Sequence, residues 1–284
     1  MLSVEAMIAK VDAFPTLPTI YTSLLEATSN PRSTIQDVAN VLIQDQSSVT
    51  KLLKVVNSPL YALSSKITSV TQAIMFLGFT EVKNIVLALS IIDLFTASTK
   101  ELIQYMVNMW KHSIAVGVIT RHLGSNLKVG NVENYFIAGL IHDIGKLFFI
   151  TVFNDTYIKV IEKVKEDSAD LHTYEKKVFG MTHDEVGVLL AKKWDLPETL
   201  ICGIMYHHNN SIINKPDKLT SCVHLANVLA KCMNLGESFE TEIAQPDFEI
   251  WNVLNFSPGT FQSLNESIVQ SFNQSSSILI LNKD

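Results

Sequence analysis

An all-α fold is what this sequence predicts, and three observations predict it. Four stretches begin as helices begin: Ser33–Gln36, Ser69–Gln72, Ser98–Glu101 and Thr182–Glu185 each set a hydroxyl three residues before a Glu or Gln. At that spacing the two side chains satisfy orphan backbone donors reciprocally. Behind these starts the apolar residues return every three or four positions, as one helix face requires. Strand-type alternation is scarce.

Taken in order, helices are expected over 3–12 and 18–29, then over 34–44, where Ile35, Val38, Ala39 and Leu42 share a face. The next runs over 47–57 on Val49, Leu53 and Val56 and stops at Asn57-Ser58-Pro59; another, over 70–77, stops at Gly78. Helices over 81–95, 99–124 and 132–150 follow, the last nearly all apolar. Helices over 155–166 and 171–178 come next, and the mixed-charge run "KVIEKVKEDSAD", 159–170, reads as the solvated end of the first. Thr182 opens a helix over 183–194, and Pro197 sits in the first turn of one over 197–208. Helices over 217–234 and 258–273 complete the set, and the tail "QSSSILILNKD" reads as a short extended piece or a loose end.

A chain of 284 residues exceeds the usual single core. Two helical parts are expected, 1–97 and 98–284, jointed at "TASTK", residues 96–100. Hydrophobic residues at 47% and charged ones at 18% exclude wholesale disorder. A net charge of −6 argues against a strongly electrostatic nucleic-acid binder. Cys202, Cys222 and Cys232 form no CxxC pair and no complete disulfide framework, so a reducing cytoplasm is expected. The opening "MLSVEAMIAKVDAF" carries acids where a signal peptide would be apolar, and the apolar stretch 135–153 is broken by His142, Asp143 and Lys146, so no membrane association is expected.

That interruption, in "IAGLIHDIGKLFF", is the chemical question the sequence poses. Buried carboxylates and ammoniums must be paired, reach a cleft or bind a cation. Asp143 could pair with Lys146 one turn on, a structural network. Alternatively His142 and Asp143, about 100° apart on one helix, grip one ion with help from other helices or address two neighbouring ions. His112, His183, His207 and His208 sit in helical contexts that could converge on them.

The ordered motifs "WKHS", "GLIHDIGKL", "MTHDEVGVLLAKKWDLP" and "MYHHN" resemble the HDOD family, a branch of the HD superfamily. The N-terminal half agrees, notably in "QDQSSVTKLLKVVNSPLY" and "ITSVTQAIMFLG", and the likeness runs from about residue 13 to 210. The resemblance implies an HD-type helical core with an N-terminal helical subdomain. In catalytic members of the superfamily, histidines, the His-Asp pair and a final aspartate hold divalent metal, and water activated there hydrolyses phosphate esters. By resemblance His112 is the first histidine, His142 and Asp143 the pair, His183, His207 and His208 the later histidines, and Lys146 the lysine that can approach phosphate. Where the final aspartate is expected, in "SCVHLANVLA", this chain has Asn227, a neutral and poorer ligand. The Gly-Tyr-Pro motif of cyclic-dinucleotide phosphodiesterases has no counterpart in "HHNNSIINKPDKLT".

The resemblance therefore implies a bacterial signalling or regulatory module that acts through protein interaction without catalysis. It implies a site able to hold a divalent metal (Fe, Mn, Zn, Ni or Mg) and no other cofactor. The partner expected is a signalling protein, with a homodimer as an alternative. A metal-dependent phosphohydrolase, using Lys146 and Asp143, is the competing reading. A third reading, a helix-turn-helix in "TIQDVANVLIQDQSSVTKLLKVVN", has only Lys51 and Lys54 as basic residues on its second helix, so nucleic acid is not the expected partner.

Overall fold

The computed structural model describes residues 2–58, 61, 63, 65–95, 99–208, 217–246, 248–256 and 258–280. Among these there is no strand, and the all-α expectation holds. Cα proximity divides the chain into two units: Met1–Thr16 with Phe95–Asn265, and Leu17–Leu94 with Glu266–Asp284. The division differs from a single cut after residue 97, because the first sixteen residues group with the histidine-bearing part. Three residues of the expected joint, 96–98, lie outside the described residues.

The unit built on Leu17–Leu94 holds α2 (Thr19–Ser29), α3 (Ile35–Ile43), α4 (Gln46–Val56), α5 (Val70–Leu77) and α6 (Phe79–Leu94). Its core is the apolar face read from the sequence: Val38, Ala39 and Leu42 of α3 meet Leu52, Val55 and Val56 of α4, with Ile74 and Ile85 beside them. The starts of α2 to α5 fall within a residue of their predicted places, and α6 begins two residues before its own. Thr34, rather than Ser33, caps α3, and Asp37 closes the box by accepting the Thr34 N–H at 2.8 Å. Ser69 caps α5, while Gln72 reaches back one residue further, to the Thr68 N–H. On α4 the Lys51 ammonium is held by Asp93 at 2.6 Å, which removes one of the two cations a recognition helix there would offer.

The histidine-bearing unit holds α1 (Val4–Ala13), α7 (Lys100–Asn126), α8 (Val132–Ile141), α9 (Ile144–Phe153), α10 (Asp155–Asp167), α11 (Leu171–Phe179), α12 (His183–Lys193), α13 (Glu198–Met205), α14 (Lys218–Cys232) and α15 (Phe248–Leu254). Helix α7 lies against α8 and α14, and α12 against α9 and α13. Lys193, at the end of α12, donates to the carbonyls of Val11 (3.0 Å), Asp12 (2.6 Å) and Phe14, capping α1, and Trp194 Nε1 donates to Pro15 at 3.1 Å. Last comes α16 (Pro258–Ile280), whose residues from 266 on belong to the other unit.

Three expectations are corrected. The helix read over 132–150 is two helices, α8 and α9, parted at His142 and Asp143. Helix α13 ends at Met205, so His207 and His208 follow it instead of closing it; off the helix their rings can stand 4.0 Å apart. The tail is helical to Ile280, and 281–284 lie outside the described residues. The stretch Val132–Phe153 is long and apolar enough to cross a membrane, yet 83% of its apolar window is buried in the fold.

Candidate metal centre

The break between α8 and α9 is what frees Asp143. A carboxylate at a helix N-cap ordinarily accepts backbone N–H groups of the first turn. Asp143 occupies that place on α9 but makes no cap bond, so both oxygens are available to neighbouring elements. The approach of α12 depends on Gly145: a Cβ there would lie 1.8 Å from the His183 carbonyl, so any side chain would drive His183 away from the pair.

His112, His142, Asp143, Lys146, His183, His207, His208 and Asn227, the residues named from the sequence, come together from α7, the α8–α9 break, α9, the start of α12, the turn after α13 and α14. Asp143 sits between two groups. Its Oδ1 lies 3.2 Å from His207 Nε2 and 3.4 Å from His183 Nε2, and His208 Nε2 is 2.9 Å from that of His183. Its Oδ2 lies 3.2 Å from His142 Nε2 and 3.9 Å from His112 Nε2, and accepts from Lys146 Nζ at 3.0 Å. Asn227 Oδ1 is 3.0 Å from His112 Nε2, at the rim of the second group. Asp143, His183, His207 and His208 could hold one ion, and His112, His142 and Asp143 another. All but His208 are essentially buried.

The tautomers make this a fit for a cation. His142 Nδ1 is 2.7 Å from the Gly139 carbonyl and His207 Nδ1 2.6 Å from that of Ile204. A carbonyl only accepts, so Nδ1 of each ring carries the proton and Nε2 turns a lone pair inward. Those Nε2 atoms and Asp143 Oδ1 are buried without a hydrogen-bond partner. Lone pairs facing a carboxylate repel unless a proton or a metal lies between. Burial opposes protonation of the other rings: it holds His207 below its usual value, His183 and His208 well below, and His112 down at about 3. Burial also disfavours a charged Asp143, but the Lys146 ammonium beside it helps to hold the carboxyl well below the usual range.

Two carboxylates here were not anticipated from the sequence. Glu175 of α11 is fully buried and accepts from the Tyr157 hydroxyl (2.6 Å) and the His183 backbone N–H (2.8 Å), and lies 2.7 Å from His183 Nδ1. This is the carboxylate–histidine support that orients a metal-binding imidazole. Burial pushes Glu175 up to about 8. A signal for it existed: Leu171, Glu175 and Phe179 stand at i, i+4 and i+8, an acid on an otherwise apolar stripe. Glu175→Ala is expected to weaken metal binding about 10- to 100-fold, read by competition with a chromophoric chelator. An unchanged affinity would make Glu175 purely structural. The second carboxylate, Glu240, accepts from Lys146 and from Lys231. Beyond them, His172 Nε2 lies 3.2 Å from Asp184 Oδ1, and the His172 ring contacts those of His183 and His208.

Comparison with known proteins gives the family and the fold. Residues 14–210 match the family model described as the HDOD domain. An uncharacterized protein of Treponema pallidum (strain Nichols) is 26% identical over 235 residues, 81% of this chain and 44% of that protein. The Bacillus subtilis protein YuxH is 40% identical over 74 residues, 26% of this chain and 18% of its own length. The chain thus covers less than half of each of these curated relatives. Among solved structures, an HDOD domain protein of unknown function from Geobacter sulfurreducens superposes with a TM-score of 0.78 at 25% identity, covering 98% of this chain and 99% of that one. A Shewanella amazonensis protein whose name proposes a phosphohydrolase gives 0.74 at 22% identity over 96% and 97% of the two chains. A Marinobacter aquaeolei protein whose name proposes a signal-transduction role gives 0.75 at 20% over 98% and 62%. These last two likenesses concern the fold alone.

Proposed function

Because the chain belongs to the HDOD domain family, we propose that it is a bacterial signalling module that holds divalent metal at the Asp143 cluster and acts on a protein partner, without hydrolysing phosphate esters. One observation carries the non-catalytic reading. Lys146 is fully buried and donates to three acceptors at once: Asp143 Oδ2 at 3.0 Å, the Ser238 carbonyl at 3.1 Å and Glu240. An ammonium has three donors. While Glu240 is seated, none is left to stabilise charge developing on a phosphoryl group, the service such a lysine would give a hydrolase. Asn227, where a further carboxylate would balance metal charge, supports the same reading.

A bound divalent ion would supply Lewis acidity and positive charge at the cluster. Asp143, His183, His207 and His208 would hold it on one side, and His112, His142 and Asp143 on the other. Imidazoles with a single shared carboxylate suit Fe, Mn, Zn or Ni better than Mg. The chain loaded in turn with Mn, Mg and Fe is expected to turn over no phosphate monoester, diester or nucleotide in a broad panel. Turnover abolished by His142→Ala would sink the proposal and establish the alternative, a metal-dependent phosphohydrolase. The alternative is favoured by the way Asp143 turns one oxygen to His183 and His207 and the other to His112 and His142, so that it would help to hold metal on either side. Direct DNA binding is not proposed, since Lys51 is already paired with Asp93.

A further inference from the structure

Between α14 and α15 the chain runs as an irregular strap whose first part is docked along its length. The Leu235 N–H donates to the Ala230 carbonyl and the Glu237 N–H to that of Asn108. At Gly236 the strap lies so close to α7 that a Cβ would stand 2.2 Å from the His112 backbone nitrogen. Phe239 buries its ring 5.5 Å from that of Tyr105, and Thr241 donates to the Ala169 carbonyl at 3.0 Å. Phe239 also has a φ of +64°, a left-handed conformation that a bulky L residue adopts only when its surroundings impose it.

What this docking achieves is the delivery of Glu240. One carboxylate oxygen accepts from Lys146 and lies 3.7 Å from His208 Nε2; the other accepts from Lys231. Two ammoniums and an imidazole edge converging on a pair of oxygens is how proteins receive an oxyanion. With its side chain 11% exposed, Glu240 stands at the limit of solvent, where a ligand oxyanion could replace it.

We propose that Lys146 and Lys231 form an oxyanion receptor that Glu240 fills in cis, and that a phosphate-bearing ligand competes with Glu240 for it and lifts the strap. The charges support the exchange. Asp143 and Glu240 balance Lys146 and Lys231, so withdrawing Glu240 leaves one positive charge for an incoming anion to neutralise. The inference rests on the regulatory reading only in giving that ligand a role as signal; binding itself is measured separately.

The test is calorimetric titration of inorganic phosphate into the full chain. Phosphate is expected to bind Glu240→Ala at least tenfold more tightly than wild type, and the gain is expected to vanish in Glu240→Ala/Lys231→Met. In the wild type, saturating phosphate should speed hydrogen exchange at residues 236–241. Equal affinity in wild type and a folded Glu240→Ala, or a gain that survives Lys231→Met, overturns the proposal. Should Glu240→Ala fail to melt cooperatively, Glu240→Gln keeps the shape, removes the charge and decides the same question. Metal content of the same preparations separates the two readings: metal-free protein that still shows the Lys231-dependent gain defeats the metal-holding module and leaves the receptor standing.

Discussion

Asp143→Ala is expected to empty the cluster of metal and to destabilise the fold by about 3–5 kcal/mol, the scale for breaking a buried charge pair from one side. Among the described residues, Asp143 is the carboxylate that the His183–His207–His208 and His112–His142 groups share, and it is the nearest partner of the Lys146 ammonium in sequence. Without it Lys146 keeps Ser238 and Glu240, while the buried Nε2 atoms of His142 and His207 lose the group around which a cation would assemble. Elemental analysis of protein purified without chelator, beside urea unfolding of both forms, reads both effects. Unchanged metal content and unchanged stability in the variant would end the case for a metal centre.

A steep loss of stability below pH 6.5 is the second large expected effect. His112 falls from 6.5 to about 3 through burial, so between these values the unfolded chain binds a proton that the folded chain refuses. Stability therefore rises with pH across that window, by about 1.4 kcal/mol per unit for this one group. His183, His207 and His208, also lowered chiefly by burial, add in the same direction. Asp143 and Glu240 do too: both are held well below the carboxylate range, so their contribution is present above their unfolded values and is lost as pH falls toward the folded ones. Bound metal would oppose the loss by keeping the imidazoles neutral, and protons would compete for the same lone pairs. Glu175, raised to about 8, and His172, also raised, oppose this trend. With four lowered histidines, thermal melting from pH 7.5 to 4.5, with and without metal, should still show stability rising with pH. A flat profile would mean that these histidines are already solvated and protonatable in the folded chain.

Much of this was legible in the residues, and the exceptions have physical causes. Capping hydroxyls and three-four apolar spacing locate α3, α5 and α12 within a residue or so, because local hydrogen bonding and one buried face decide them. The break at His142 and Asp143 was hidden because the flanking apolar run is continuous, and the interruption follows from tertiary packing of α12 against Gly145. Helix α15 went unread in a stretch with Pro246 and several acids and no clear periodicity. The histidine set could be named because its motifs are local. Glu240 could not, since it meets Lys146 across 94 positions and its own neighbourhood, an irregular strap, carries no pattern that announces a charge partner.

The grip of Lys193 on the end of α1 has a consequence for synthesis. The ammonium and the Val11 carbonyl it binds are separated by 182 positions. A chain made at about 5–20 residues per second exposes α1 for roughly 9–36 s before its partner helix leaves the ribosome. During that wait Met7 and Val11, both buried in the finished protein, have no native surface to cover them. Until α12 arrives the apolar side of α1 is open to non-native contacts. A slowly translated message should lengthen that exposure.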